Sequence, residues 1–135
     1  MKLLIVRHGD PDYTIDSLTP KGWKEVDYLS EKLAKLDVKA FYVSPLGRAR
    51  DTASLTLKKM NRTATEEPWL REFDAHIHRP DDPEKENISW DWLPQDWTMD
   101  ERFYQYDHWF ENERMQEANM KYYYDKVTGE FDKVL

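Results

Sequence analysis

The chain of 135 residues contains no cysteine. A disulfide framework is therefore excluded, as is any metal site built on thiolates, and the redox compartment is left undetermined by that route. Long apolar runs are also missing. The N-terminal run ends at Arg7, too short for the hydrophobic part of a signal peptide, and nothing later approaches a bilayer-spanning length. A soluble, cytoplasmic protein with no membrane partner is expected. No cluster of Lys and Arg and no basic patch interleaved with aromatics occurs, and the formal net charge is −7. Both features argue against a nucleic-acid surface.

The charge that is present is unevenly spread. Residues 1–64 carry 12 Lys and Arg against 8 Asp and Glu, and the totals of 20 and 27 leave 8 against 19 for residues 65–135. A few local cations in the first half suit a small anionic ligand. Six tryptophans give the chain enough apolar surface to form a core despite its charge. Its length suits one domain, at the small end for a sheet covered by helices on both sides.

Leu3-Leu4-Ile5-Val6 reads as a short strand buried on both faces, and Arg7-His8-Gly9 as the turn that ends it. The segment 10–17 is acidic and broken by proline, hence loop. Thr19 then fits a helix N-cap and Pro20 the first helical position. Trp23, Val26, Leu29 or Ser30, Leu33 and Leu36 keep helical spacing after it. Ala40-Phe41-Tyr42-Val43 is a second strand candidate. Leu46, Ala49, Ala53, Leu57 and Met60 mark the inner face of a second helix, with Arg48 in its first turn.

Thr65 to Leu70 is a weaker third strand, its proline suggesting an edge, and Glu72 follows it. Alternation of strand and helix implies a parallel sheet with right-handed crossovers. Arg7, His8, Arg48 and Glu72 then all follow strand ends, where open α/β sheets bind ligands. Arg48 also falls beside helix N–H groups that favour an anion.

From Asp74 to about Met99 periodicity is lost, and the stretch reads as an insertion or lid, with Trp90 and Trp92 as pocket or anchor residues. His76 and His78 read as surface-loop histidines, since no third ligand accompanies them. Asp100 to Lys126 reads as helical, sheltering Phe103, Tyr106, Phe110, Met115 and Tyr122, with His108 structural. Gly129 is expected to interrupt that helix before a new apolar pattern at Phe131, Val134 and Leu135.

Arg7-His8-Gly9, Leu18-Thr19-x-x-Gly22 and Ser44-Pro45-Leu46-Gly47-Arg48-Ala49-x-x-Thr52-Ala53 together resemble the histidine phosphatase superfamily, the phosphoglycerate-mutase-like enzymes. The likeness covers roughly residues 1–73, with 74–126 as a variable insertion and helical region of the same single domain. It implies a three-layer α/β/α fold with a mostly parallel sheet. It also implies that His8 is a nucleophile taking a phosphoryl group from a small phosphorylated substrate, since a neutral imidazole presents an unprotonated nitrogen.

By the same resemblance Arg7 and Arg48 grip phosphate oxygens, and Glu72 protonates the leaving oxygen and then activates water. No metal or cofactor is called for. The family's second active-site histidine, in a later His-Gly pair, has no counterpart here. That departure fits a chain truncated before its last strands or a naturally short form, with a sheet edge left open and the oligomeric state undetermined. The residues Asp10-Pro11-Asp12-Tyr13 are unlike the glycolytic mutases and favour a phosphatase. A catalytically impaired phosphate-binding or interaction module is the alternative.

Overall fold

A computed structural model describes residues 2–135. The chain is an α/β protein that divides into two compact units, Met1–Arg71 and Glu72–Leu135. The boundary lies close to Asp74, where the sequence loses its periodicity.

In the first unit, β1 (Pro11–Asp12) pairs antiparallel with β2 (Ser17–Leu18), so the expected loop is a tight hairpin. It leads into α1 (Pro20–Leu33). As expected, the Thr19 hydroxyl caps this helix by accepting the Gly22 N–H at 3.1 Å, and Pro20 occupies its first turn. Next come β3 (Tyr42–Val43), α2 (Gly47–Met60) and β4 (Thr65–Glu66). β3 and β4 are parallel, Tyr42 opposite Thr65 and Val43 opposite Glu66, with α2 as the crossover. Asn61, left-handed at φ 51°, ends α2. The expected third strand is only two residues long, because Pro68–Leu70 turns into a 3-10 helix and Pro68 has no N–H to give a ladder.

Two expectations for this unit need correction. Leu3, Leu4, Ile5 and Val6 are 55, 58, 89 and 42% exposed and join no ladder among the described residues. A strand is buried on both faces only inside a sheet that is covered on both sides. Here the parallel pair is two strands wide and two residues long. Val26 and Ser30 are buried as the α1 spacing expects, but the helix faces otherwise differ from the apolar pattern. α1 buries Gly22, Val26 and Ser30, leaving Trp23 outside, and α2 buries Arg48, Thr52 and Thr56. These positions are four residues apart, so each set forms one stripe, and the two helices pack against each other. Lys59 reaches across from α2 to the Ser30 hydroxyl at 3.1 Å and pairs with Glu31.

The second unit begins with a hairpin that the sequence pattern did not announce. β5 (His76–Arg79) and β6 (Asp82–Ile88) are antiparallel, joined by Pro80 and Asp81. β6 reads Asp-Pro-Glu-Lys-Glu-Asn-Ile and so shows no alternation of apolar and polar residues. One strand of the pair carries the apolar contribution instead. Ala75 and Ile77 join Trp92, Met115 and Met120 in a buried core, with Phe73, Trp97, Phe103, Trp109 and Ala118 packed on it. Trp92, Trp97 and Phe103 stand with ring centroids 4.9 to 5.6 Å apart. Trp92 is thus an anchor, while Trp90 is exposed.

The expected continuous helix from 100 to 126 is broken. After α3 (Pro94–Thr98) come 3-10 turns at Glu101–Tyr104 and Trp109–Glu111, then α4 (Glu113–Glu117) and α5 (Met120–Val134). The Asn112 side chain caps α4 through the Arg114 N–H at 3.0 Å. Asn119, at φ 50°, turns the chain before α5. Met115 is buried as expected, whereas Tyr106 and Tyr122 are exposed.

Gly129 does not interrupt α5, and a Cβ placed on it would meet nothing within 4 Å. Gly129→Ala is therefore expected to stabilise α5 by about 0.5–1 kcal/mol. Amide exchange in that helix should slow about two- to fivefold, and an unchanged or faster rate would contradict this account of the glycine.

Arg102 ties the second unit together through Asp100 at 2.7 Å, Glu113 at 3.1 Å and the Glu111 carbonyl at 2.9 Å, while Asn112 donates to Asp100 at 2.8 Å. The hydrogen bonds from Arg102 and then Asn112 hold the Asp100 carboxyl well below the usual carboxylate range. A group depressed in the folded state stabilises above its unfolded pKa of about 3.9 and loses that contribution as pH falls toward the folded value. Tryptophan fluorescence should accordingly report weakening of this unit below about pH 4. Asp100→Asn should flatten that acid limb; an identical limb in the variant would remove Asp100 from the account.

Candidate active site

The turn after the first apolar run is held by its neighbours on three sides. The Asp10 carbonyl accepts the Thr19 N–H at 3.0 Å, and the Asp10 carboxylate accepts the Thr19 hydroxyl at 2.6 Å. The Asp10 N–H donates to Glu25 at 2.9 Å. That hydroxyl bond is the main reason the Asp10 carboxyl titrates below its ordinary value. Gly22 makes the approach of α1 possible, since a Cβ there would lie 2.3 Å from the Asp10 carbonyl oxygen. The glycine of the Leu-Thr-x-x-Gly motif is a packing requirement of this turn.

His8 is half-buried, and its Nδ1 lies 2.8 Å from the Gly9 carbonyl oxygen. A carbonyl only accepts, so Nδ1 is the donor in this contact, and in the neutral ring the lone pair then lies on Nε2. The Gly9 N–H donates to the Thr52 hydroxyl at 3.0 Å, which in turn donates to the Arg48 carbonyl at 2.8 Å. Residues 48 and 52 are one turn apart on α2, so this relay joins the histidine's turn to the arginine's turn. Thr52 had been visible only as part of a motif, without a task.

Arg48 is 8% exposed. Its Nη1 donates to the Asp16 carboxylate at 2.7 Å, and the Tyr13 ring centroid lies 5.3 Å from its guanidinium carbon. The other Asp16 oxygen accepts the Gly47 N–H at 2.7 Å. This backbone bond, then the Arg48 contacts, keeps the Asp16 carboxyl below its ordinary range.

Leu46, at the N-cap of α2, offers no side-chain cap, so Asp16 supplies from another segment the acceptor that the helix start lacks. Sequence reasoning passed over Asp16 as one acid among several in a loop. The signal that pointed to it was the helix beginning Leu-Gly, which has no capping residue of its own.

The other histidines and the remaining expected site residues can each be described locally. Arg7 is exposed and, among the described residues, makes no ion pair. Glu72 is exposed and opens the second unit. His76 and His78 lie on β5 rather than in a loop, and with Glu86, Arg114 and Glu117 they border a cavity of about 250 Å3. The Nδ1 of His108 meets Glu111 at 2.9 Å. Among the described residues no three His, Cys, Asp or Glu side chains are grouped to hold a metal ion, and no helix is long and apolar enough to cross a membrane.

Comparison with known proteins bears on the same segments. The family model of the histidine phosphatase superfamily (branch 1) matches residues 3–124. The chain is 33% identical over 80 residues to a 2,3-bisphosphoglycerate-dependent phosphoglycerate mutase of Thermoplasma acidophilum, a match covering 52% of this chain and 40% of that protein. It is 32% identical over 95 residues to the mitochondrial serine/threonine-protein phosphatase Pgam5 of Caenorhabditis elegans, covering 61% of this chain and 34% of that one. The match thus spans less than half the length of either relative. With the family match running from the apolar N-terminal run into α5, the chain belongs to the histidine phosphatase superfamily.

Proposed function

We propose that this chain is a phosphomonoester hydrolase acting through a phosphohistidine, with His8 as the nucleophile. The observation that supports this best is the hydrogen bond from His8 Nδ1–H to the Gly9 carbonyl, which in the neutral ring puts the lone pair on Nε2, in a turn tied through Thr52 to the helix of Arg48.

In the first step Nε2 forms a bond to phosphorus as the bond from phosphorus to the ester oxygen breaks. The leaving oxygen takes a proton from Glu72. In the second step water, giving a proton back to Glu72, attacks the phosphohistidine and releases inorganic phosphate and the free imidazole. Arg48, with Arg7 as its partner, neutralises charge on the phosphoryl oxygens as they pass through the transition state. The roles of Glu72 and Arg7 rest on the motifs around them.

Of the two relatives, one is named a mutase and the other a phosphatase. Hydrolysis is preferred because the residues after Gly9, Asp10-Pro11-Asp12-Tyr13, do not resemble the stretch typical of the glycolytic mutases. The second reading is a phosphate-binding module without turnover.

Hydrolysis of p-nitrophenyl phosphate in the presence of a chelator tests both. Turnover supports the hydrolase, and a phosphohistidine that forms and persists supports the binding module. A folded chain that shows no turnover and forms no phosphoenzyme would defeat the assignment of His8.

A further inference from the structure

We propose that Asp16 is a positioning residue for phosphate handling: its carboxylate locks the Arg48 guanidinium against the first turn of α2. The inference rests on the phosphatase reading and adds to it a residue outside the motifs.

An arginine side chain has several rotatable bonds, and a guanidinium that must grip a phosphate is effective only if its fork is already aimed. Asp16 restrains it at two points with one group, since one carboxylate oxygen is fixed to the Gly47 N–H at 2.7 Å and the other takes Arg48 Nη1 at 2.7 Å. The guanidinium is therefore referenced to the backbone of the helix start, whose N–H groups themselves favour an anion. Tyr13, from the same hairpin, lies under the guanidinium.

The hairpin is built for this contact. Asp16 sits at φ 47°, in the left-handed region that few side chains adopt, and such a conformation persists where its surroundings hold it. Gly47 lets it approach, for a Cβ there would fall 2.0 Å from the Asp16 carbonyl oxygen. Ser17 closes the arrangement by donating to Asp51, in the first turn and a half of α2. A residue that only capped the helix would have no reason to take the arginine as well.

The test has a part that needs no catalysis. In the wild-type chain, 15N NMR should show Arg48 with slowed guanidinium rotation, and Asp16→Asn should make that rotation faster. Averaging already present in the wild type would overturn the lock. In p-nitrophenyl phosphate hydrolysis Asp16→Asn should lower kcat by about tenfold or more with KM little changed, because ordering the fork then falls to each catalytic event.

A lower KM with undiminished kcat would overturn positioning, since the carboxylate would then merely compete with the substrate. In the Arg48→Ala background Asp16→Asn should cost kcat/KM nothing further, whereas additive losses would assign Asp16 to something other than Arg48. Binding of inorganic vanadate separates this inference from the one beneath it. An ordered Arg48 in a chain that neither hydrolyses the ester nor binds vanadate would overturn both the phosphatase reading and the phosphate role of Asp16, and leave only a structural lock.

Discussion

Turnover of p-nitrophenyl phosphate by the His8→Ala chain is expected to fall by about four orders of magnitude or more, a barrier increase of about 5 kcal/mol. The size follows from the proposed chemistry: without Nε2 there is no phosphohistidine, and hydrolysis must proceed by direct attack of water. The fold should survive the change. His8 is half-buried, and among the described residues its side-chain hydrogen bond runs to its own neighbour, so removing the ring breaks no tie between elements there. The Gly9 bond to Thr52 is made by the backbone and persists in the variant. Rapid-quench labelling should show an acid-labile phosphoenzyme in the wild type and none in His8→Ala. Unchanged turnover in the variant would end the histidine mechanism, whatever the family.

Arg48→Ala should reduce kcat/KM by about 10²–10³, the loss typical when one preorganised group that meets developing charge is removed. Arg48→Lys should recover only part of that, because an ammonium brings the charge without the planar fork. The alanine variant also leaves the Asp16 carboxylate with the Gly47 N–H but without its guanidinium, so the start of α2 loses part of its support. Circular dichroism and thermal melting of both variants separate the two effects. Equal kcat/KM in Arg48→Lys and wild type would take Arg48 out of phosphate recognition even if both variants fold.

Local chemistry was readable wherever one residue settles one question. Thr19 and Pro20 start α1 as their side chains require, and the run around Tyr42–Val43 pairs parallel to Thr65–Glu66 across α2. The motif around Ser44 to Ala53 marked Arg48 and Thr52 correctly as belonging together, though it did not say that Thr52 links Arg48 to Gly9.

The reading failed where an element's state depends on something far along the chain. Leu3–Val6 has the composition of a buried strand, but burial needs neighbours on both sides. The β5–β6 hairpin was hidden because β6 is almost wholly polar and takes its place from pairing with a strand whose inner face is Ala75 and Ile77. Helix was expected through Asn112 and Asn119 because the aromatic spacing is helical. Each asparagine instead ends a turn, one by capping and one by entering the left-handed region.

Membership of the superfamily, the α/β class and the choice of His8 and Arg48 as candidates were contained in residue identities and their spacing, because a nucleophile and a phosphate-gripping fork each demand one kind of side chain. Tertiary contact supplied the rest. It brought Asp16 across 31 residues to the start of α2, gave His8 Nδ1 a carbonyl partner, and packed α1 against α2. None of these can be read from a local window, because hydrogen bonds and packing are satisfied by whichever group the fold delivers, near or far in sequence.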